Sequence, residues 1–132
     1  MANKDKEALA LHRQGLKARL WKERARSRLK LPACVYCDVA IWYPGAAVMH
    51  EWLVKRNSVP VKMQIRIMHK YNCVLAHFSC HEQYGQTREF KLRCARAQYR
   101  RYGRDTIVAW VESLGLKQHV EIPLESEIQN AY

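Results

Sequence analysis

Within ten residues, Asn72-Cys73-Val74-Leu75-Ala76-His77-Phe78-Ser79-Cys80-His81, the chain carries an amide, two imidazoles and two thiols. Upstream stand the pair Cys34-Val35-Tyr36-Cys37 and the dipeptide His50-Glu51. A C-x2-C turn lets two sulfurs converge on one ion while backbone amides point at them, although alone it is equally a redox pair or a coincidence. His77-x2-Cys80 supplies a second half of H-x2-C form. Cys34, Cys37, His77 and Cys80 together are soft or borderline ligands suited to a closed, tetrahedral, structural Zn2+ site. Such a site would tether the start of the folded region to its far end and support a core that is small for its task. Cys73 and Cys94 are left over and read as buried, small apolar residues.

The elements that must position these groups belong to a chain of 132 residues, enough for one domain with a modest core plus arms. Hydrophobic residues at 48% and charged residues at 27% exclude a disordered or membrane-spanning chain. Lys plus Arg number 23 against 12 Asp plus Glu, and the net +11 attracts polyanions, nucleic acid first among them. No run approaches the roughly 18 to 20 apolar residues of a membrane span, and the polar N-terminus has no signal-peptide core, so the expected location is cytoplasmic. Five cysteines in a basic, intracellular-looking chain favour metal ligation or free thiols over a disulfide framework.

Residues 4–30 lack proline, contain one glycine and set ten basic side chains around a thin stripe of Leu9, Leu16 and Leu20. They predict a basic helix with a break at Gly15, either packing Leu16, Leu20 and Trp21 on the core or lying on a phosphate backbone. Leu31-Pro32-Ala33 ends that helix. Val39 to Trp42 and Val48 to Val54 flank the turn signal Tyr43-Pro44-Gly45-Ala46 and predict a β-hairpin with His50 and Glu51 in its second strand. Val61, Met63, Ile65 and Ile67 alternate with polar residues as a half-exposed strand would, and a longer connecting loop fits equally. A helical pattern from His81 to about Tyr84 breaks at Gly85. Thr87 opens a second helix that runs to Tyr102 and stops at Gly103. Asp105 is expected to cap a third, with Ile107, Val108, Trp110, Val111 and Leu114 as its apolar face. The acidic segment after Val120 reads as a loose tail, the alternative being a fold back over a basic surface. The domains expected are a basic N-terminal arm (1–31), a zinc-bound core (32–86), basic and amphipathic helices (87–118) and the acidic tail (119–132).

His50, Asn72 and His81 stand in the order His, Asn, His, and His81 directly follows a zinc-type cysteine. Joined to the C-x2-C and to the string N-x-V-L-x-H-x2-C-H, this pattern resembles the HNH endonuclease family from about Cys34 to Gln86. The resemblance includes the phage-type, zinc-containing variant, in which the first histidine is followed by a Glu, here Glu51, and then by an Arg, here Arg56. The resemblance implies an α+β fold: a small zinc-stabilised ββα-metal core, a β-hairpin with a helix laid across it around one divalent cation, between flanking basic helices. It implies metal-dependent hydrolysis of DNA phosphodiesters, nicking or of low specificity, in a phage-encoded protein of the host cytoplasm. His50 would be the general base and Asn72 would hold its ring. His81, at a helix start, would ligate Mg2+ or another divalent ion distinct from the zinc.

Where the family commonly places an Asp or His ligand before the base, this chain has Met49. Either Glu51 supplies the missing oxygen, or His50 is itself the ligand with Glu51 as base, or the metal site is incomplete. Lys17, Arg24, Arg28, Arg56, Arg88, Lys91, Arg96 and Arg100 would hold double-stranded DNA by its phosphates. A homodimer through the C-terminal helices would suit double-strand breaks. Trp21, Trp42, Trp52 and Tyr99 are expected in the core rather than stacked on bases. The competing expectation is a non-catalytic zinc-containing nucleic-acid-binding or regulatory protein that retains the fold. Met49 favours it, whereas His50, Asn72 and His81 together favour the enzyme.

Overall fold

The run Cys73-Val74-Leu75-Ala76 is apolar at every position, a composition that suits a strand covered on both faces, and all four residues are buried. It forms the centre of the computed structural model, which describes residues 3–26 and 30–131. In chain order the elements are α1 (Asn3–Glu23), β1 (Ala25–Arg26), β2 (Leu31–Pro32), β3 (Ala47–Glu51), α2 (Val61–Ile67), β4 (Cys73–His77), α3 (Phe78–Tyr84), α4 (Arg88–Tyr102), α5 (Arg104–Ser113) and α6 (Glu125–Ala131). The fold is α+β: mostly helical around small antiparallel sheets. β3 pairs with β4 from Ala47 opposite His77 to Glu51 opposite Cys73. Among the described residues, no helix is long and apolar enough to cross a membrane.

The hairpin expected between 39–42 and 48–54 does not form. β3 takes its partner from beyond the excursion 52–72, because β4 is the strand apolar enough to bury completely. Residues 39–42 serve instead as a strut, bridged only at Ala40 to Ala33, with Ile41 buried and Val39 and Trp42 exposed. The strand expected at Val61–Ile67 is a helix, α2. Pro60 stands just ahead of its first turn, where a missing N–H costs nothing. Its packing partner is α1 rather than a sheet edge, so the alternation has no pleat to serve: Ile67 is buried, while Val61 and Ile65 stay exposed.

Gly15 does not break α1. It is an exposed helical position that costs about 1 kcal/mol relative to alanine yet removes no hydrogen bond. Leu9, Leu16 and Leu20 are buried on the core, as the packing alternative required. The helix ends at Glu23 rather than near Lys30, since Ala25 and Arg26 pair with Pro32 and Leu31. Thr87 caps α4, its hydroxyl accepting from the Phe90 amide at 3.1 Å. Gly103, at φ 86°, both ends α4 and precedes α5, so Asp105 falls in the first turn of α5 and is not its cap.

The C-terminal segment is not loose. Tyr99 Oη donates to Pro123 O at 2.6 Å and Arg104 Nε to the same oxygen at 3.0 Å. α6 then packs on α4 and buries Ile128. Glu121 pairs with Arg88 and with Lys91 Nζ (3.1 Å), and Glu127 with Arg88 Nη2 (2.9 Å). Charge thus returns the one acid-rich stretch to the basic helix.

Burial should outweigh these exposed ion pairs. Ile128→Ala is expected to destabilise the protein by about 2 kcal/mol or more, and Glu121→Gln by less than about 1 kcal/mol, both read from urea unfolding. Arg88, through its hydrogen bond, holds the Glu121 carboxyl below its usual range. Its contribution is therefore present above about pH 4.5 and is lost as pH falls through the lowered value. Amide protection factors, corrected for the intrinsic rate at each pH, should fall in residues 121–129 on acidification before those of β3 and β4 do.

Candidate metal and histidine centres

The Cys34-to-Cys37 turn is shaped by its own backbone. Cys34 O accepts from the Asp38 amide at 2.9 Å, and Asp38 takes φ 62°, a left-handed position that Asp tolerates better than most residues. The turn docks on the outer edge of β4 through Val35 N donating to Leu75 O at 3.0 Å. His77 ends β4 and Cys80 lies in the first turn of α3. The corner between them brings the second pair of ligands to the first. The donor atoms of Cys34, Cys37, His77 and Cys80 all lie within 4.8 Å of one another.

The donor set fits zinc. His77 Nδ1 lies 3.2 Å from Cys37 Sγ and 3.9 Å from Cys80 Sγ, while its Nε2 lies 3.2 Å from Ala40 O. The Ala40 carbonyl requires a proton on Nε2, and that tautomer leaves the Nδ1 lone pair facing the sulfurs. The His77 amide donates to Cys34 Sγ at 3.3 Å, as a thiolate ligand would accept. Burial, with the neighbouring Cys34 and Cys37 sulfurs, pushes the Cys80 thiol up to about 12. Gathered thiolates need a cation, and these four residues form a potential Cys3His zinc site. Cys73 and Cys94 are fully buried, and burial raises both thiols, Cys73 to about 12.

On β3 the pleat sends His50 and Glu51 to opposite faces. His50, 7% exposed, packs edge-on to Phe90 of α4, and its Nδ1 lies 3.1 Å from Nε2 of His81 on α3. Lys55 Nζ lies 3.4 Å from His50 Nε2 and donates to Glu51 O at 2.6 Å. Burial first, then the charges of Lys55 and His81, hold the His50 imidazole down at about 3, so the ring is neutral. Glu51 turns away. Its Oε2 accepts from the Arg56 amide at 3.4 Å and its Oε1 lies 3.7 Å from Arg13 Nη1 of α1. Glu51 therefore does not supply the oxygen that Met49 fails to provide. Among the described residues, the zinc-type cluster is the one group of three or more His, Cys, Asp or Glu whose donor atoms converge.

Asn72 does not hold the His50 ring. Its Oδ1 accepts from Leu53 N (3.2 Å) and Val54 N (2.9 Å), and its Nδ2 donates to Val54 O (2.9 Å) and Ile67 O (3.0 Å). Every bond the amide can make is spent on backbone, because at zero exposure an unmet donor or acceptor would be costly. The expected orienting role passes to a scaffolding one.

Several basic residues read as phosphate contacts are engaged elsewhere. Arg24, 7% exposed, donates to Cys73 O (2.9 Å), Lys70 O (3.2 Å) and Gln98 Oε1 (3.3 Å). Lys17 Nζ donates to Pro44 O and Ala47 O, and Arg88 and Lys91 meet the acidic segment. Arg56 is half-buried beside Glu51; Arg96 is half-buried and Arg100 exposed on α4. Arg28 lies outside the described residues. Lys55 is the neighbour of His50 that sequence reasoning missed, and its only signal was a second basic residue just before Arg56. Trp52 is buried, but Trp42 is 64% exposed.

No protein-family model, curated protein or solved structure matches the chain significantly.

Protein purified without chelator should carry about one zinc per chain by elemental analysis. Cys37→Ser should lose it and melt earlier, while His81→Ala should keep it. Asn72→Ala should cost roughly 3 kcal/mol or more in urea unfolding, since it strands several buried backbone groups at once.

Proposed function

We propose that the protein is a divalent-cation-dependent DNA endonuclease of the HNH, ββα-metal kind, with a structural zinc beside its catalytic centre. The observation that carries this reading is the 3.1 Å approach of His50 Nδ1 to His81 Nε2 across β3 and α3. That is the span of two nitrogens each about 2.1 Å from one ion. The succession β3, β4, α3, with the zinc-type cluster at its corner, supports the same assignment.

His50 and His81 would hold the cation, and His50 in this role is the second of the three arrangements that Met49 leaves open. The approach of His50 Nδ1 to His81 Nε2 favours the ligand role over that of general base. A bound divalent ion supplies Lewis-acid polarisation of the phosphodiester and acidifies its water. Lys55, beside His50, presents a positive charge to the incoming phosphate. Phe90 fixes both rings edge-on.

A second reading is favoured by one observation: among the described residues no carboxylate converges with the two imidazoles on one point, since Glu82 lies 3.9 Å from His81 Nδ1 while it is His81 Nε2 that meets His50. On that reading the protein binds nucleic acid without cutting it. Plasmid cleavage separates the two. Because imidazole suits later transition ions better than Mg2+, nicking should be faster with Mn2+ or Ni2+ than with Mg2+. His50→Ala and His81→Ala should each lose about a hundredfold or more. Protein that shifts DNA but nicks it with none of these ions would establish the second reading.

A further inference from the structure

α4 carries arginines at 93, 96, 100 and 101, spacings that gather them on one helical face. That face is one wall of a groove of about 400 Å3 whose opposite wall is the turn bearing Cys34 and Asp38, with Val74 and Leu75 of β4 between them. Among the described residues, Arg24, Arg93, Arg96, Arg100 and Arg101 line it with one carboxylate, Asp38; Arg24 is held by backbone carbonyls and Arg93 by Glu89, so these two add positive field rather than direct phosphate contacts. Neither His50 nor His81 lines it.

The groove is built for phosphate rather than for bases. Arg93 donates to Tyr36 O, pairs with Glu89 at 2.7 Å and lies over the Tyr36 ring at 4.5 Å, while Tyr36 stacks on Tyr84 and Phe90. The one aromatic ring at the groove is therefore already covered. The exposed rings, Trp42, Tyr43 and Phe78, do not line it. With no open face for stacking, single-stranded recognition is disfavoured. Arg93 to Arg101 spans about 12 Å of helix, and a duplex brings one charge per ~1.7 Å of its axis alongside such a wall.

We propose that this groove is a phosphate-backbone anchor for double-stranded DNA, separate from the His50–His81 pair, holding the flank of the substrate without reading its sequence. The inference rests on nucleic acid being the partner, but it does not require cleavage.

Anisotropy of a short fluorescent duplex, with zinc-loaded protein, no added divalent ion and a series of salt concentrations, tests it. Arg96→Gln with Arg100→Gln should weaken binding on the order of tenfold and flatten the salt dependence by about 0.9 per lost contact. Arg100→Glu, at an exposed position that the fold does not need, should weaken it as well. The control pair Lys62→Gln with Arg66→Gln removes the same charge from exposed positions of α2 and should change affinity less than about twofold. With Mn2+, hydrolysis of bis(p-nitrophenyl) phosphate, too small to reach the groove, should be the same in wild type and groove variants.

Equal affinity in wild type and groove variants, or equal loss in groove and control variants, overturns the proposal. So does loss of binding to an acidic polypeptide with duplex binding intact, which would assign the groove to an acidic protein. If no form hydrolyses either substrate yet the groove variants lose duplex affinity, the nuclease reading fails and the anchor stands. If plasmid is cut normally and duplex affinity is unchanged, the anchor fails and the nuclease stands.

Discussion

The amide of Asn72 is the constraint on which the rest of the molecule depends. β3 and β4 are neighbours in space but are separated by the excursion 52–72, and closing such a loop costs entropy that only native contacts repay. Asn72 grips both ends of the excursion, Leu53 and Val54 at its start and Ile67 near its return, from a position with no exposure to water. Its backbone oxygen also accepts from Trp52 N at 3.1 Å. The grip fixes register. A slip of one residue would exchange the faces of His50 and Glu51, and no imidazole would then meet His81.

From that register follow two centres of different character on one short helix. Cys80 belongs to the thiol cluster and His81 to the imidazole pair, and the two are consecutive residues of α3. The first centre draws its other ligands from the turn near residue 34, the second from β3. Each centre thus reports on a different packing of α3, one against the turn at the β4 edge and one against the sheet. The tautomer of His77, fixed by Ala40 O, decides the first; the burial of His50 under Phe90 decides the second.

Local spacing carried much of this, and long-range choices carried the rest. The four zinc-type donors were legible because ligand spacing is a local property that folding only has to bring together. Thr87, Gly103 and the arginine-bearing α4 were legible for the same reason. The partner of β3 was not, since adjacency favoured residues 39–42 and only the complete burial of β4 reveals the better match. α2 was misread because an alternating pattern assumes a pleat to receive it, and α1 received it instead. Asn72 and Arg24 were misassigned for one shared reason: polar side chains look like surface or site residues in a sequence, and nothing local tells that backbone carbonyls will surround them. The acidic segment was legible only as an alternative, because its docking depends on charges some thirty residues away.

Arg24 has one more consequence, for the order in which the chain assembles. A guanidinium keeps its charge throughout the pH range proteins meet, and here it is sealed against the carbonyls of Lys70 and Cys73 and the amide of Gln98, with its Nε unpartnered. Until β4 and α4 exist, none of those acceptors is in place, and burying the charge without them would cost several kcal/mol. The side chain of Arg24 can therefore be seated only once β4 and α4 have brought those acceptors together.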